Sequence, residues 1–176
     1  NAVVDRRTRR RVRDGFLQLD RGAHEAPLLT ICAGDIATSR KRAERAVTML
    51  TPFYLMSPRW TAKAPLPGGD FPWTRFDDQV DAVQERWRFL NEAEARRLVA
   101  AYGTRVAQVL GEAQSREDLG ETFGPELSAA EVRYLMRVEW ARFPDDILWR
   151  RSKLGLTMPA ADRERLAAFM ANVASD

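Results

Sequence analysis

Residues 91–103 read Asn-Glu-Ala-Glu-Ala-Arg-Arg-Leu-Val-Ala-Ala-Tyr-Gly, and they carry the signals for both ends of a helix. Asn91 followed three positions later by Glu94 is the capping-box pattern, in which each side chain binds the other residue's backbone N–H. An apolar face then runs to Tyr102, and Gly103 is the residue type that ends helices. This stretch therefore predicts a complete helix with its own boundaries.

The same periodicity continues through most of the chain after Phe76, where apolar residues recur three and four positions apart. Further helices are predicted over residues 76–87, 104–110, 128–140, from Asp145 or Asp146 to residue 154, and over residues 160–173. Six helices of modest length with short connections form a compact helical domain. We therefore expect a mainly α fold with a helical C-terminal domain at residues 77–176.

A second capping box is predicted at Ser128 and Glu131, again three positions apart. Leu127 and Val132 flank it with the spacing of a hydrophobic staple, which fixes the angle at which the chain enters the helix. The glycine-rich stretch before it, residues 111–125, is expected to be a loop.

The first fifty residues show a different pattern. A strand is expected near residues 12–19, and residues 26–33 form a short, wholly apolar run typical of a strand buried on both faces. Gly34 and Asp35 break this run, and an amphipathic helix is predicted over residues 36–50. The backbone N–H groups of residues 34–38 would then lie at a helix N-terminus, where an anion is favoured.

Residues 51–76 contain most of the prolines of the chain together with Gly68 and Gly69, a density that excludes a continuous helix. We expect a connector here, packed down by aromatic side chains that include Phe53, Tyr54, Trp60 and Trp73. The predicted organisation is a strand–turn–helix piece at residues 1–50, whose first two residues resemble a tag remnant, then the connector, then the helical domain.

Composition excludes several kinds of chemistry. The single cysteine, Cys32, cannot form an internal disulfide, and with one histidine, His24, it cannot complete a usual zinc site. No apolar run is long enough to cross a membrane, and no signal peptide is expected. Six arginines lie between Arg6 and Arg13, but no aromatic residue interleaves with them. A solvated segment is favoured there over nucleic-acid binding.

Three clusters in the helical part are candidates for chemistry. Glu139, Asp145 and Asp146 lie close in sequence, but capping explains the aspartates better than an acid pair does. A second cluster of apolar side chains at helical spacing predicts core rather than a ligand pocket. Its members are Trp140, Trp149, Met136 and Met158. Basic residues at 150, 151 and 153 are expected to complement a helix C-terminus or to pair with the aspartates.

Several segments together resemble a known family. They are Ala26-Pro27-Leu28-Leu29-Thr30-Ile31, the turn at Gly34, Thr38-Ser39-Arg40-Lys41-Arg42-Ala43-Glu44, Leu66-Pro67-Gly68-Gly69, Tyr102-Gly103, residues 118–124, Glu139-Trp140-Ala141-Arg142 and residues 145–155. In this order they are similar to bacterial FAD-dependent glycerol-3-phosphate dehydrogenases, over about residues 11–176. The glycine fingerprint of a dinucleotide-binding domain does not occur in the chain. The resemblance therefore implies a C-terminal fragment.

The resemblance implies an enzyme that oxidises glycerol 3-phosphate to dihydroxyacetone phosphate, passing hydride to FAD and electrons to quinone. Such enzymes are cytoplasmic, peripheral on the inner membrane and commonly homodimeric; no nucleic-acid partner is expected. By position, Arg13 matches an arginine that faces the substrate phosphate, a task suited to its planar fork of donors. The residues that match the turn beneath the flavin pyrimidine ring are Gly34, Asp35, Ile36, Ala37 and Thr38.

Asp35 departs from the family pattern, in which a lysine occupies this position. At about 4 Å from a phosphate, a lysine would contribute roughly 4 kcal/mol of attraction at an effective dielectric near 20, and an aspartate a similar repulsion. A different substrate, weak activity or a compensating residue are the open explanations. A glycerophosphate oxidase, a divergent flavin-dependent paralogue and a helical binding module that uses its arginines remain alternatives.

The 176-residue chain alone is expected to bind no FAD tightly, because it supplies at most one edge of a flavin site. Denaturation of the purified chain should release no absorbance at the flavin bands. A yellow chromophore released in a one-to-one ratio with protein would contradict this expectation.

Overall fold

The computed structural model describes residues 3–4, 11–12, 15–22, 25–32 and 34–174. The chain forms two compact units, Asn1–Pro65 and Leu66–Asp176, and the boundary between them falls within the predicted connector. Helices dominate the described part, with short antiparallel strand pairs before and between them. The predicted mainly α fold is confirmed.

The described residues of the first unit form two antiparallel strand pairs, a 3₁₀ turn and one α-helix. Its elements are β1 (Val3–Val4), β2 (Arg11–Val12), β3 (Phe16–Asp20), β4 (Leu28–Cys32), a 3₁₀ turn (Ile36–Thr38) and α1 (Ser39–Leu50). β1 pairs with β2 and β3 pairs with β4, where Phe16 lies opposite Cys32. The predicted order of strand, glycine turn and helix is confirmed.

Burial of β4 on both faces, expected from its apolar sequence, is wrong for this structure. Leu28 is 63% exposed and Ile31 55% exposed. β4 is hydrogen-bonded to β3 in a two-stranded sheet. Leu28 and Ile31, three positions apart, lie on opposite faces of this sheet, and two strands alone cover neither face. An apolar sequence shows that a strand can be buried, but the strand becomes buried only where another element packs on it.

The second unit contains five α-helices, one π-helix and one hairpin among its described residues. These are α2 (Phe76–Arg86), α3 (Glu92–Tyr102), α4 (Val106–Leu110), β5 (Thr122–Phe123), β6 (Leu127–Ser128), α5 (Ala129–Val138), the π-helix (Asp146–Arg151) and α6 (Ala160–Val173). The side chains of Phe123, Leu127, Ile147 and Leu166 are completely buried, so the hairpin, the π-helix and α6 share one core. The hairpin lies partly in the stretch expected to be a loop.

The caps of α3 agree with the sequence. The side chain of Asn91 accepts from the backbone N–H of Glu94 at 2.9 Å, and the Glu94 carboxylate accepts from the Asn91 N–H at 2.9 Å. Gly103 follows the last residue of the helix at φ +55°. Both predicted ends of α3, and the predicted span of α6, are confirmed.

The helix predicted up to residue 154 is replaced by a π-helix that ends at Arg151. The N–H of Ser152 donates to the carbonyl of Ile147 at 2.9 Å, a bond over five residues. The Ser152 hydroxyl donates to the same carbonyl at 2.7 Å. Lys153 then takes a left-handed conformation, which stops the helix before the 3₁₀ turn Leu154–Leu156.

Two glycines bring separate backbone segments into close approach. The N–H of Thr104 donates to the carbonyl of Gly68 at 3.1 Å, and the Thr104 hydroxyl donates to the Asp70 carboxylate. Gly68 and Gly103 both have positive φ, and a Cβ atom on either would overlap the backbone of the facing segment. The Pro-Gly segment is thus fixed against the end of α3, and the Thr104 hydroxyl lowers the pKa of Asp70.

Gly103→Ala is expected to destabilise the protein by at least about 2 kcal/mol more than Gly111→Ala. Both glycines have nearly the same backbone angles, φ 55° and ψ −130° against φ 58° and ψ −133°. A Cβ at Gly111 meets no atom within 4 Å, whereas at Gly103 it overlaps Gly68. Urea unfolding of both variants measures the difference, and equal losses would show that the close approach contributes nothing beyond backbone strain.

Candidate functional site

The turn that precedes α1 is closed by Asp35. The Asp35 carboxylate accepts a hydrogen bond from the Ala37 N–H at 3.0 Å, and its carbonyl accepts from the N–H of Thr38 at 3.2 Å. The Thr38 hydroxyl donates to the same carbonyl at 3.0 Å. Asp35 therefore acts as the N-cap of the 3₁₀ turn, and its carboxylate lies at the start of this helix.

Arg42 fixes the other side of this turn. Its guanidinium Nη2 donates to the Thr38 hydroxyl at 2.7 Å and to the Asp35 carbonyl at 3.4 Å. Thr38 and Arg42 are one helical turn apart, so their side chains lie on the same face of the helix. The turn at residues 34–38 is thereby held by side chains from both of its ends.

The predicted flavin-edge residues lie together on an open surface. Ile36 is 85% exposed, Asp35 and Ala37 are exposed, and Gly34 and Thr38 are half-buried. Arg13, the predicted partner of a substrate phosphate, lies outside the described residues.

A cleft of about 240 Å³ lies beside this turn. Its lining consists of Gly15, Phe16, Leu17, Thr38, Lys41, Arg42 and Arg45. Gly15 is two positions after Arg13 in the chain, so the cleft begins close in sequence to that predicted site residue. Neither Arg42 nor this cleft was among the sites predicted from the sequence, although the helical spacing of Thr38, Arg42 and Arg45 was a usable signal.

In the helical unit, Asp146 shapes a loop. Its carboxylate accepts from the N–H groups of Arg142 at 2.9 Å and Phe143 at 3.0 Å, and it pairs with Arg150 at 2.9 Å. The two backbone N–H groups lower the pKa of Asp146, and Arg150 adds to the effect. The predicted capping role is therefore correct in kind, but Asp146 caps the preceding loop rather than the N–H groups of its own helix.

The predicted basic cluster satisfies backbone carbonyls. Arg151 donates to the carbonyls of Asp146 at 3.0 Å and Glu139 at 2.5 Å, and Lys153 donates to the carbonyl of Trp149. This agrees with the expectation of helix-end and aspartate contacts.

The predicted core cluster is only partly correct. Met158 is buried, but Trp140 is 76% exposed. α5 ends at Val138, and Trp140 has a φ of +56°, so its side chain leaves the helical face on which it was expected. A helix that stops two residues early redirects every later side chain.

Glu131 has a different role from the one its sequence position suggested. The Ser128 hydroxyl accepts from the Glu131 N–H at 3.3 Å, which is half of a capping box. The Glu131 carboxylate instead turns into the core, where it is 1% exposed. It accepts from Arg97 at 2.9 and 2.8 Å and from the Tyr102 hydroxyl at 2.6 Å. The second capping box is therefore wrong in its reciprocal half.

This buried cluster of Arg97, Tyr102 and Glu131 joins α3 to α5. Burial, with the adjacent Glu131 carboxylate, raises the pKa of Tyr102. Arg97 also donates to the carbonyl of Glu126 at 2.8 Å, so the cluster reaches the segment before β6. A fully bonded carboxylate of this kind stabilises the core and offers no free group for catalysis. In the part of the chain that the structure describes, no cluster of histidine, cysteine or acidic side chains is arranged to hold a metal.

Comparison with known proteins defines the class of this chain. Residues 59–175, well over half of the chain, match the family described as the C-terminal domain of alpha-glycerophosphate oxidase. The chain belongs to this family, and the resemblance found in its motifs is confirmed.

Individual relatives agree with this assignment. The chain is 43% identical over 159 residues to glycerol-3-phosphate dehydrogenase of Pseudomonas aeruginosa, covering 90% of the chain and 31% of the relative. It is 40% identical to aerobic glycerol-3-phosphate dehydrogenase of Escherichia coli, covering 90% and 32%. It is also 36% identical to D-erythritol 1-phosphate dehydrogenase of Brucella abortus, covering 82% and 28%. The chain thus spans about a third of the length of these relatives.

None of the helices among the described residues has the length and apolar character that crossing a membrane requires.

Arg97→Met is expected to destabilise the helical unit by about 3–5 kcal/mol, because it leaves the buried Glu131 carboxylate without its cation. The neighbouring Arg96→Met is the matched control. Arg96 pairs with Asp77 at 2.8 Å on the surface, and its loss should cost less than about 1 kcal/mol. Urea unfolding followed by circular dichroism compares the two, and equal losses would contradict a central role for the buried cluster.

Proposed function

We propose that this chain works as the C-terminal part of a flavoenzyme that oxidises sn-glycerol 3-phosphate to dihydroxyacetone phosphate. The observation that carries the proposal is about 40% identity, over 90% of the chain, to two relatives named for glycerol-3-phosphate dehydrogenation. In this arrangement residues 1–50 are the end of the flavin and substrate domain, residues 51–76 connect, and residues 77–176 are the helical domain.

The cofactor of this proposal is FAD, and the residues at the start of α1 fit its edge. Ile36 presents an exposed apolar side chain, and the positive end of the helix dipole lies at the same turn. Gly34, Asp35, Ile36, Ala37 and Thr38 would contact the flavin, with Thr38 oriented by Arg42. A bound FAD would accept the hydride from the substrate carbon and deliver electrons to quinone. The chain's own part is to form and hold one edge of that site.

Two groups of this chain would act on the substrate phosphate. Arg13 would donate a bidentate pair of hydrogen bonds to it. Asp35 would repel the phosphate. The strength of this repulsion would depend on how firmly the hydrogen bond from the Ala37 N–H holds the Asp35 carboxylate. The same proposal includes a membrane surface on the cytoplasmic face of the inner membrane and a homodimer, both carried over from the family resemblance.

A second candidate substrate is another phosphorylated polyol. Asp35 occupies the position of the family's lysine, and one relative with 36% identity is named for D-erythritol 1-phosphate. A change from one phosphorylated polyol to another as substrate agrees with the altered charge at this turn. A glycerophosphate oxidase that reduces oxygen would differ from the first proposal only in its electron acceptor.

Asp35→Lys in the whole protein is expected to lower KM for glycerol 3-phosphate or raise turnover by about 10- to 100-fold, which corresponds to roughly 1.4–2.8 kcal/mol. The physical reason is that a repulsive charge near the phosphate becomes attractive. Arg13→Ala should act in the opposite direction. Steady-state rates with a dye acceptor measure both changes.

Asp35→Asn is the matched control for this prediction, because asparagine keeps the capping oxygen but removes the charge. If Asp35→Lys and Asp35→Asn both leave KM unchanged while Arg13→Ala raises it, Asp35 does not face the substrate. A wild-type protein that oxidises D-erythritol 1-phosphate but not glycerol 3-phosphate would replace the first proposal with the second.

A further inference from the structure

One face of α1 and its preceding turn carries three cations in succession. Thr38, Lys41, Arg42 and Arg45 follow one another at intervals of three, one and three residues, and all four line the cleft beside β3. Side chains three and four positions apart on a helix are neighbours, so like charges placed there repel one another. An anion that lies among these cations would relieve the repulsion.

The cations of this face have no acidic partner among the described residues. No ion pair within 4.0 Å joins Lys41, Arg42 or Arg45 to a carboxylate of the described part of the chain. Arg40, on the same helix but outside the cleft, pairs with Glu44 at 3.3 Å and donates to the Thr61 hydroxyl. The positive charge is therefore concentrated on one side of α1 and balanced on another.

Arg42 is oriented towards the cleft with part of its donor capacity in use. Its Nη2 binds Thr38 and the Asp35 carbonyl, which fixes the plane of the guanidinium. Its other N–H groups donate to no other described residue. A guanidinium held in this way offers two parallel donors to a tetrahedral oxyanion. The ammonium of Lys41 and the guanidinium of Arg45 add positive charge beside it.

We infer that this cleft, lined by Lys41, Arg42 and Arg45, is a binding site for the phosphate group of a phosphorylated polyol, with Arg42 as its central ligand. This inference rests on the proposed function, which identifies the part of the ligand other than the phosphate. Thr38 belongs both to the cleft and to the turn at residues 34–38, so the phosphate would lie beside the proposed flavin edge. The cleft supplies the positive charge that Asp35 does not.

The test compares Arg42→Gln, Arg42→Lys and Arg40→Gln in the whole protein. Arg42→Gln is expected to raise KM for glycerol 3-phosphate about 10-fold or more and to change kcat by a smaller factor than KM. Arg42→Lys should recover most of the affinity, because it restores the charge. Arg40→Gln should leave KM within about twofold, since it removes one cation of α1 from outside the cleft.

Turnover of glycerol, which lacks the phosphate, separates binding from structure. If Arg42 acts on the phosphate, Arg42→Gln lowers kcat/KM for glycerol 3-phosphate at least about 10-fold more than it lowers kcat/KM for glycerol. If Arg42 only supports Thr38 and the turn, both substrates suffer equally, and the inference is overturned. Arg45→Gln gives the same comparison at a second position if Arg42→Gln does not fold.

Binding of inorganic phosphate, followed by calorimetry, tests the cleft without turnover. Wild-type protein that binds phosphate at least fivefold more tightly than Arg42→Gln supports the site even if glycerol 3-phosphate proves not to be the substrate. Equal binding overturns it. Vesicles of phosphatidylglycerol test a lipid headgroup as the other source of phosphate. If the vesicles retain wild-type protein but not Arg42→Gln, and both proteins bind inorganic phosphate equally, the face binds lipid and the inference is overturned.

Discussion

The helical unit depends on the buried pairing of Glu131 with Arg97 and Tyr102. A carboxylate placed in a core is costly unless its oxygens are bonded to cationic or hydroxyl donors. Here α3 supplies both donors and α5 supplies the acceptor, with distances of 2.6–2.9 Å. The two helices can therefore pack in few other registers, because any slip would leave a charge buried without its partner. The adjacent contact of Tyr102 edge-on against Tyr134, with ring centres 5.4 Å apart, uses the same alignment.

Backbone geometry complements this pairing at the end of α3. Tyr102 is the last residue of the helix, and Gly103 follows it directly. The glycine lets the Gly68 backbone approach closely enough for Thr104 to bind its carbonyl. One short stretch, residues 97–104, therefore fixes α5 through its side chains and the Pro-Gly segment through its backbone. The Tyr-Gly and Pro-Gly-Gly motifs are separate in the sequence but form a single structural contact.

The two units use charge differently. In the helical unit the arginines at 96, 97, 116, 150 and 165 each pair with a carboxylate. In the first unit the cations at 41, 42 and 45 line a cleft without such partners among the described residues. Leu28, Ile31 and Ile36 of the first unit expose apolar side chains, and the helical unit, although its core is closed, also exposes Trp73 and Trp140. In the first unit, exposed apolar side chains thus occur together with cations that lack acidic partners among the described residues, whereas the second unit encloses a core of its own.

The sequence by itself determined the helical fold class, both ends of α3, the span of α6 and the family, because caps, periodicity and ordered motifs are local signals. It did not determine where Glu131 points, since one carboxylate can serve a cap or a core, and the choice depends on an arginine 34 positions away. It also did not determine the exposure of Trp140 or the π-helix, which follow from where a neighbouring element ends. The cleft at Arg42 likewise needed β3 placed beside α1. Tertiary structure alone decided the direction of Glu131 and the cleft, because both depend on partners that are distant in sequence and near in space.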